Sequence, residues 1–358
     1  MSLRDSCERL IRRAFSVPSM PLCLVRVYLD GPYGTGKTTT GKLLSEDTLA
    51  ATLYVAEPMA YWRNHFEDVI KGVYETQERK ARGDIATTDA KAITAALQLQ
   101  FFAPYSSFHT YASTLFGVEA PERTPPDITL IIDRHPTAAC LCFPAARFVV
   151  GDMSLSTLLA MISLIPREPH GGNIVIMDLN EDEHLERLRA RQRPGEAIDV
   201  RFLRALHNIY KMFVNTIWYA KQAPIMWDCD KWDKDWSSVP IFDDDRKKML
   251  EARDSVPIVG GKKRPSPSTT LLSLFKVPEL CDESFRLRKV HEWNLRCALI
   301  KLADLNAYFM DISGKSPQEC AAEVREATNA MDFTRLSFTM AGDLEQAVNQ
   351  YNTEMTIN

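Results

Sequence analysis

The chain has 358 residues, 45% of them hydrophobic, which is enough for one large domain or two ordinary ones with a sizeable core and excludes a disordered chain. Lys plus Arg number 43 and Asp plus Glu 47, so the net charge of -4 carries no footprint for wrapping a nucleic-acid backbone; any nucleotide chemistry should concern small molecules. The 8 cysteines form no C-x-x-C pair and have no histidines at zinc spacing, and no run approaches the ~18 apolar residues of a membrane span, so a soluble, unsecreted, intracellular protein with reduced thiols is expected.

Behind an N-terminal arm (1–21), Leu22 to Asp30 reads as a buried strand, because Leu, Val and Tyr dominate a short run that Gly31 and Pro32 stop. A helix is expected from Lys37. Further short apolar runs at 53–56, 128–133, 173–178 and 307–312 are separated by long helical stretches. That alternation predicts an α/β fold, a parallel sheet with helices on both faces. Residues 117–127, with Pro121, Pro125 and Pro126, read as a loop. Within 199–221, Leu203, Leu206, Tyr210, Phe213 and Ile217 recur at spacings of three and four, one apolar helical stripe for core or subunit packing. Residues 228–270 mix acidic, basic, Trp and Gly/Pro/Ser segments without a sustained period, and are expected to be a mobile insertion between a core (22–227) and a final α/β stretch (271–358).

Gly31, Pro32, Tyr33, Gly34, Thr35, Gly36, Lys37 and Thr38 fit G-x-x-x-x-G-K-[ST] between a predicted strand and a predicted helix, the context a phosphate-binding loop requires. Backbone N–H groups would cradle the phosphates of ATP, Lys37 would supply charge to the β/γ oxygens, and the Thr38 hydroxyl would reach Mg²⁺. Such a loop alone does not separate a kinase from a switch. Glu57, which Pro58 leaves at the end of the second strand, puts a carboxylate where open parallel sheets bind ligands. Asp133 and Arg134 follow the most β-branched strand and would lie beside it, Asp133 suited to Mg²⁺ and Arg134 to bridging carboxylate and phosphoryl oxygens. His135 reads as structural, since neither a metal cluster nor a nucleophile accompanies it in sequence. At 181–196 an acidic first turn leads into Arg187, Arg189, Arg191 and Arg193; Arg187 and Arg191 share a helical face, and Pro194 with Gly195 should unwind the end and swing Arg193 inward as a lid.

With GPYGTGKTTT, EPMAYW, DRHPTAACLCFPAAR and RARQRPGE in this order, the sequence resembles the herpesvirus thymidine kinases, a P-loop kinase family; cellular deoxynucleoside kinases, similar in fold, usually carry ERS where this chain has DRH. The resemblance implies transfer of the ATP γ-phosphate to the 5′-hydroxyl of thymidine, with deoxycytidine, thymidylate and acyclic guanine-like analogues among family acceptors, on a sheet of about five strands, in a homodimer. It implies that Glu57 takes the 5′-hydroxyl proton, that Asp133 partners Mg²⁺, that Arg134 and Arg193 stabilise the transferring group, and that Arg187 and Arg191 are lid arginines, with Arg189 facing solvent. It further implies that Gln98 reads thymine, that Phe101 and Phe143 sandwich its ring, that Tyr74 and Glu196 hold the 3′-hydroxyl, and that Trp62 and Arg147 line the same pocket. Some relatives have Met at the position of Phe101 and Tyr at that of Phe143. A nucleoside monophosphate kinase, needing extra cations at the acceptor phosphate, and a non-catalytic nucleotide-binding switch are the rival readings.

Overall fold

The computed structural model describes residues 21–46, 51–116, 126–191, 197–222, 229–259 and 263–356; the arm, most of the loop at 117–127 and the lid end with Arg193, Pro194, Gly195 and Glu196 lie outside the described residues. Strand β1 (Leu22–Asp30) is buried along its whole length. Its even-numbered Leu22, Leu24 and Tyr28 enter one core cluster, while Cys23, Val25, Val27 and Leu29 enter another across the sheet. Side chains alternate between faces with a period of two, so an unbroken apolar run is what a strand covered on both faces needs.

Strands β2 (Ala51–Val55), β3 (Ile128–Asp133), β4 (Gly172–Asp178) and β5 (Leu305–Asp311) join β1 in the order β2-β3-β1-β4-β5, all parallel. This is the expected α/β arrangement. A short β6 (Phe333–Leu336), absent from the sequence-based expectation, pairs antiparallel with Leu22 to Val25 on the edge where β4 takes up the rest of β1. Four residues carry too little periodicity to announce a strand.

The helices are α1 (Lys37–Ser45), α2 (Val69–Arg82), α3 (Thr87–Ser113), α4 (Phe143–Val149), α5 (Leu155–Ser163), α6 (Glu181–Arg191), α7 (Val200–Gln222), α8 (Cys229–Ser238), α9 (Asp244–Leu250), α10 (Lys289–Ala303), α11 (Pro317–Thr328) and α12 (Phe338–Met355). Helices α2 and α3 enclose a third cluster, with Trp62, Val69, Ile70, Val73, Leu97 and Tyr105. No helix among the described residues is long and apolar enough to cross a membrane.

One expectation needs correction, that of a mobile insertion. The stripe on α7 is core, and the opposite face of the helix is buried too: His207, Asn208, Lys211 and Asn215 are all covered. The cover is the segment expected to be a mobile insertion. Asn208 Nδ2 donates to the carbonyls of Leu250 (2.9 Å) and Ala252 (2.7 Å), and Asn215 Nδ2 to those of Pro257 (2.9 Å) and Thr269 (3.1 Å). Trp232 and Trp236 of α8 are buried and stacked, and Trp236 Nε1 donates to the Phe285 carbonyl at 3.0 Å. Side-chain amides that satisfy irregular backbone leave no period in the sequence, which is why the segment looked unstructured.

Because Trp236 is packed rather than mobile, Trp236→Ala should cost about 3–5 kcal/mol of unfolding free energy in urea titration. A loss below about 0.5 kcal/mol, normal for surface positions, would return the segment to the surface.

Candidate active site

All the groups that carry chemistry stand at the carboxyl ends of the parallel strands, where the loops of an open α/β sheet leave a crevice. The phosphate loop leaves β1 at Gly31, whose φ is 129°; a Cβ there would lie 2.3 Å from the Met177 carbonyl oxygen, so only glycine fits the turn. Gly34 is constrained by its left-handed φ of 85°, whereas the Leu188 side-chain end, 2.5 Å from where a Cβ would lie, could move aside. Lys37 is buried, and its Nζ donates to the Pro32 carbonyl (2.7 Å) and Thr35 Oγ1 (3.2 Å). Burial first, then Arg134, lowers its pKa to about 7, against the pull of Asp133 and Glu57. Added negative charge at this position would raise it again.

Arg134 has φ 77°, a left-handed conformation that costs a non-glycine residue about 1–3 kcal/mol and persists only when its surroundings enforce it. They do. Its Nη1 donates to Asp30 Oδ1 (3.1 Å) and the Gly31 carbonyl (2.8 Å), and its Nε to Glu57 Oε1 (3.2 Å). Asp30 is the hub: its Oδ1 also accepts from Tyr210 OH (2.7 Å) and the Gly31 N–H (2.8 Å), and its Oδ2 from the His135 N–H (3.3 Å). Sequence reasoning missed Asp30 and Tyr210. The available signal was a carboxylate placed directly before the phosphate loop.

Asp133 Oδ2 accepts from Thr38 Oγ1 (2.7 Å) and Tyr54 OH (3.0 Å), while its buried Oδ1 has no hydrogen-bond partner among the described residues. Burial, then Glu57, pushes this carboxyl above the usual carboxylate range, although Lys37 and Arg134 oppose the shift. An orphaned oxygen on a carboxylate that is costly to ionise, next to a threonine hydroxyl, fits a hard divalent cation such as Mg²⁺. Tyr54 is a further contact that sequence reading did not find.

Between the loop and helices α2, α3 and α4 lies a cavity of about 320 Å³, within the size class of small-molecule sites. Lys37, Thr38, Glu57, Trp62, Tyr74, Gln98, Phe101, Arg134, Phe143, Arg147 and Arg191 all line it, so the expected substrate-binding residues that are described converge, while Asp133 and Arg187 lie outside this lining. Gln98 and Phe101 recur at helical spacing on α3 together with Tyr105, which the sequence reading omitted. Gln98 Nε2 donates to the Ala139 carbonyl at 2.9 Å, which fixes the plane of the amide. Trp62 packs edge-on to Phe101 (5.0 Å) and Tyr105 (5.5 Å), and the Arg134 guanidinium lies 5.1 Å from the Phe143 ring centre. Arg147 Nη1 donates to Asp152 Oδ2 at 3.2 Å.

Helix α6 starts where expected; Asn180 Oδ1 accepts from the Glu183 N–H at 2.9 Å and caps it. Arg187 Nη1 donates to the Thr35 carbonyl (3.4 Å) and lines a second cavity with Thr39, Thr40 and Lys315, while Arg189 faces solvent. His135 is structural as expected, but it has company: its Nε2 lies 3.1 Å, and His109 Nε2 2.7 Å, from Glu168 Oε2. These three groups could ligate a cation, yet Arg26, 3.1 Å from Glu168 Oε1, already supplies the positive charge.

A sequence profile described as thymidine kinase from herpesvirus matches residues 31–312. The thymidine kinase of Equine herpesvirus 1 (strain Ab4p) is 42% identical over 340 residues, covering 93% of this chain and 93% of that protein. That of Suid herpesvirus 1 (strain NIA-3) is 40% identical over 336 residues, covering 93% and 99%. The crystal structure of EHV4-TK complexed with Thy and ADP superposes with a TM-score of 0.88 at 41% identity, over 95% of this chain and 100% of that one.

The two aspartates at the strand ends should respond oppositely to loss of charge. Asp30→Asn removes the buried counter-charge of Arg134 and should cost about 3–5 kcal/mol of unfolding free energy. Asp133 has a raised pKa, so its ionised form is disfavoured in the fold, and Asp133→Asn should leave stability unchanged or increase it. Urea denaturation of both variants checks the contrast, and equal losses would contradict it.

Proposed function

The chain belongs to the herpesvirus thymidine kinase family, and from that premise we propose how its residues divide the transfer of phosphate from ATP to thymidine. The protein is an ATP-dependent kinase that phosphorylates thymidine. The observation that carries the assignment of roles is the contact of Arg134 with Glu57, beside Lys37 and at the mouth of the cavity lined by Gln98.

Loop N–H groups from Gly31 to Thr38 cradle the ATP phosphates, and Lys37 moves its Nζ from the Pro32 carbonyl to their oxygens. The rest of the nucleotide extends along Thr39, Thr40, Arg187 and Lys315. Asp133 and Thr38 would hold Mg²⁺, which when bound neutralises charge on the β/γ oxygens. Gln98 offers a donor and an acceptor side by side to the base, with Phe101 and Phe143 against the faces of its ring. Trp62, Tyr74 and Arg147 close the pocket, and Glu196 is assigned the 3′-hydroxyl together with Tyr74.

Glu57 accepts the 5′-hydroxyl proton while Arg134, held by Asp30, aligns that carboxylate and faces the transferring group. Arg191 and Arg193 add positive charge from the lid. The homodimer implied by the family cannot use the α7 stripe, which is core. We assign it to the exposed Val290 and Trp293 on α10. Sedimentation equilibrium should return a dimer for the wild type and a monomer for Trp293→Asp; a dimeric variant would place the interface elsewhere.

Glu57→Gln keeps the volume and one acceptor oxygen but cannot take up the proton. Steady-state kinetics should show kcat reduced roughly 10²- to 10⁴-fold with little change in the KM for ATP. A near-normal kcat with a raised KM for thymidine would make Glu57 a positioning residue only.

A further inference from the structure

A buried chain of hydrogen bonds, unused in the mechanism above, fastens the lid helix to the phosphate loop. Asp178, the last residue of β4, contacts His207 Nδ1 of α7. His207 Nε2 lies 2.8 Å from Nδ1 of His184 on α6, and His184 Nε2 lies 2.6 Å from the Tyr33 carbonyl oxygen. Both imidazoles are buried.

The proton count follows from the chemistry of the two ends. A carboxylate and a carbonyl only accept, so three links require three N–H protons on two imidazoles. The histidine pair therefore carries one positive charge, balanced by Asp178. If that proton leaves, the carboxylate retains the N–H on His207 Nδ1, and His207 Nε2 then accepts from His184 Nδ1–H. His184 Nε2 is left with a lone pair against the Tyr33 oxygen. The link that breaks is the one to the loop.

We propose that Asp178, His207 and His184 form a proton-loaded positioning relay that holds the Tyr33 carbonyl against the lid helix and thereby aims the Gly34 N–H at the nucleotide phosphates. In a trans peptide the C=O of Tyr33 and the N–H of Gly34 point in opposite directions. Gly34 lines the cavity, so fixing the carbonyl on α6 turns its N–H inward. The relay rests on the reading that this loop binds the phosphates of ATP.

The charged neighbours locate the extra proton on His207. Burial, then the partner imidazole, holds the His184 pKa down to about 3, with Arg253 and Lys37 acting in the same direction. Burial also lowers His207, with Arg253 and Lys211 adding to it, while Asp178 pulls the other way. At Asp178 burial acts upward, but His207, Arg253 (3.4 Å) and Lys211 (3.8 Å) bring the carboxyl below its usual range, and Asp254 engages Lys211. Rising pH removes the His207 proton and releases the loop, so the relay holds at low pH.

ADP affinity, measured by titration calorimetry across pH, tests this independently of thymidine turnover. His184→Phe deletes the donor and should bind ADP about tenfold more weakly than wild type at about pH 5, with the ratio closing towards one at about pH 8, because the His207 proton, held below the ordinary imidazole range, is lost between them. Asp178→Asn supplies an amide N–H to His207, completes all three links without charge, and should bind ADP like wild type at low pH and more tightly at high pH. Should thermal unfolding show that His184→Phe is misfolded, His184→Gln, a donor at every pH, should reproduce the Asp178→Asn pattern. A ratio independent of pH, or an Asp178→Asn protein as weak as His184→Phe throughout, would overturn the proposal. ADP affinity unaffected by any of these variants while Lys37→Ala abolishes it would leave the phosphate site intact and refute the relay alone.

Discussion

The left-handed turn at Arg134 is the constraint on which the rest of the site depends. A bulky residue at φ 77° is unfavourable, and three donors converging on Asp30 Oδ1, from Arg134, Tyr210 and the Gly31 N–H, offset that cost. The same carboxylate thus shapes the start of the phosphate loop and aims the guanidinium at Glu57. Donor and acceptor chemistry are held in register by one buried group. Strand order explains the economy of the arrangement, since β1 lies beside β3 and its last residue reaches Arg134 and His135 after that strand, as well as Tyr210 on α7.

Buried polar clusters brace this turn from two sides. Beneath it, Glu168 gathers His109, His135, Tyr28 and Arg26 into one network. Burial acts to raise the Glu168 pKa, but Arg26 and the two histidines hold it far below the usual range, so the group stays a carboxylate. Beside the turn, Asp178 and two histidines reach the loop from the lid. Each carboxylate has cationic or imidazole partners, while Arg26 Nε and Arg253 Nε are left without a hydrogen bond among the described residues. The segment at 229–259 completes the second cluster, because its Arg253 reaches Asp178 and its Asp254 engages Lys211.

The chain itself made much of this legible. The phosphate loop, the five parallel strands and the helix starts are local: apolar runs with a period of two, stop residues, an acidic first turn and a fixed glycine spacing each act within a few residues. Glu57, Asp133 and Arg134 could be named because strand ends in such a sheet converge on one crevice, and Gln98, Phe101 and Phe143 through a family resemblance that the cavity lining matches. Only the tertiary structure decided the contacts that join distant residues without a period. Asp30 meets Arg134 and Tyr210 across 104 and 180 positions, Asn208 and Asn215 satisfy backbone of a segment that looked unstructured, and β6 is too short to signal itself. Side-chain hydrogen bonds of that kind depend on three-dimensional proximity and donor count, neither of which leaves a repeat along the chain.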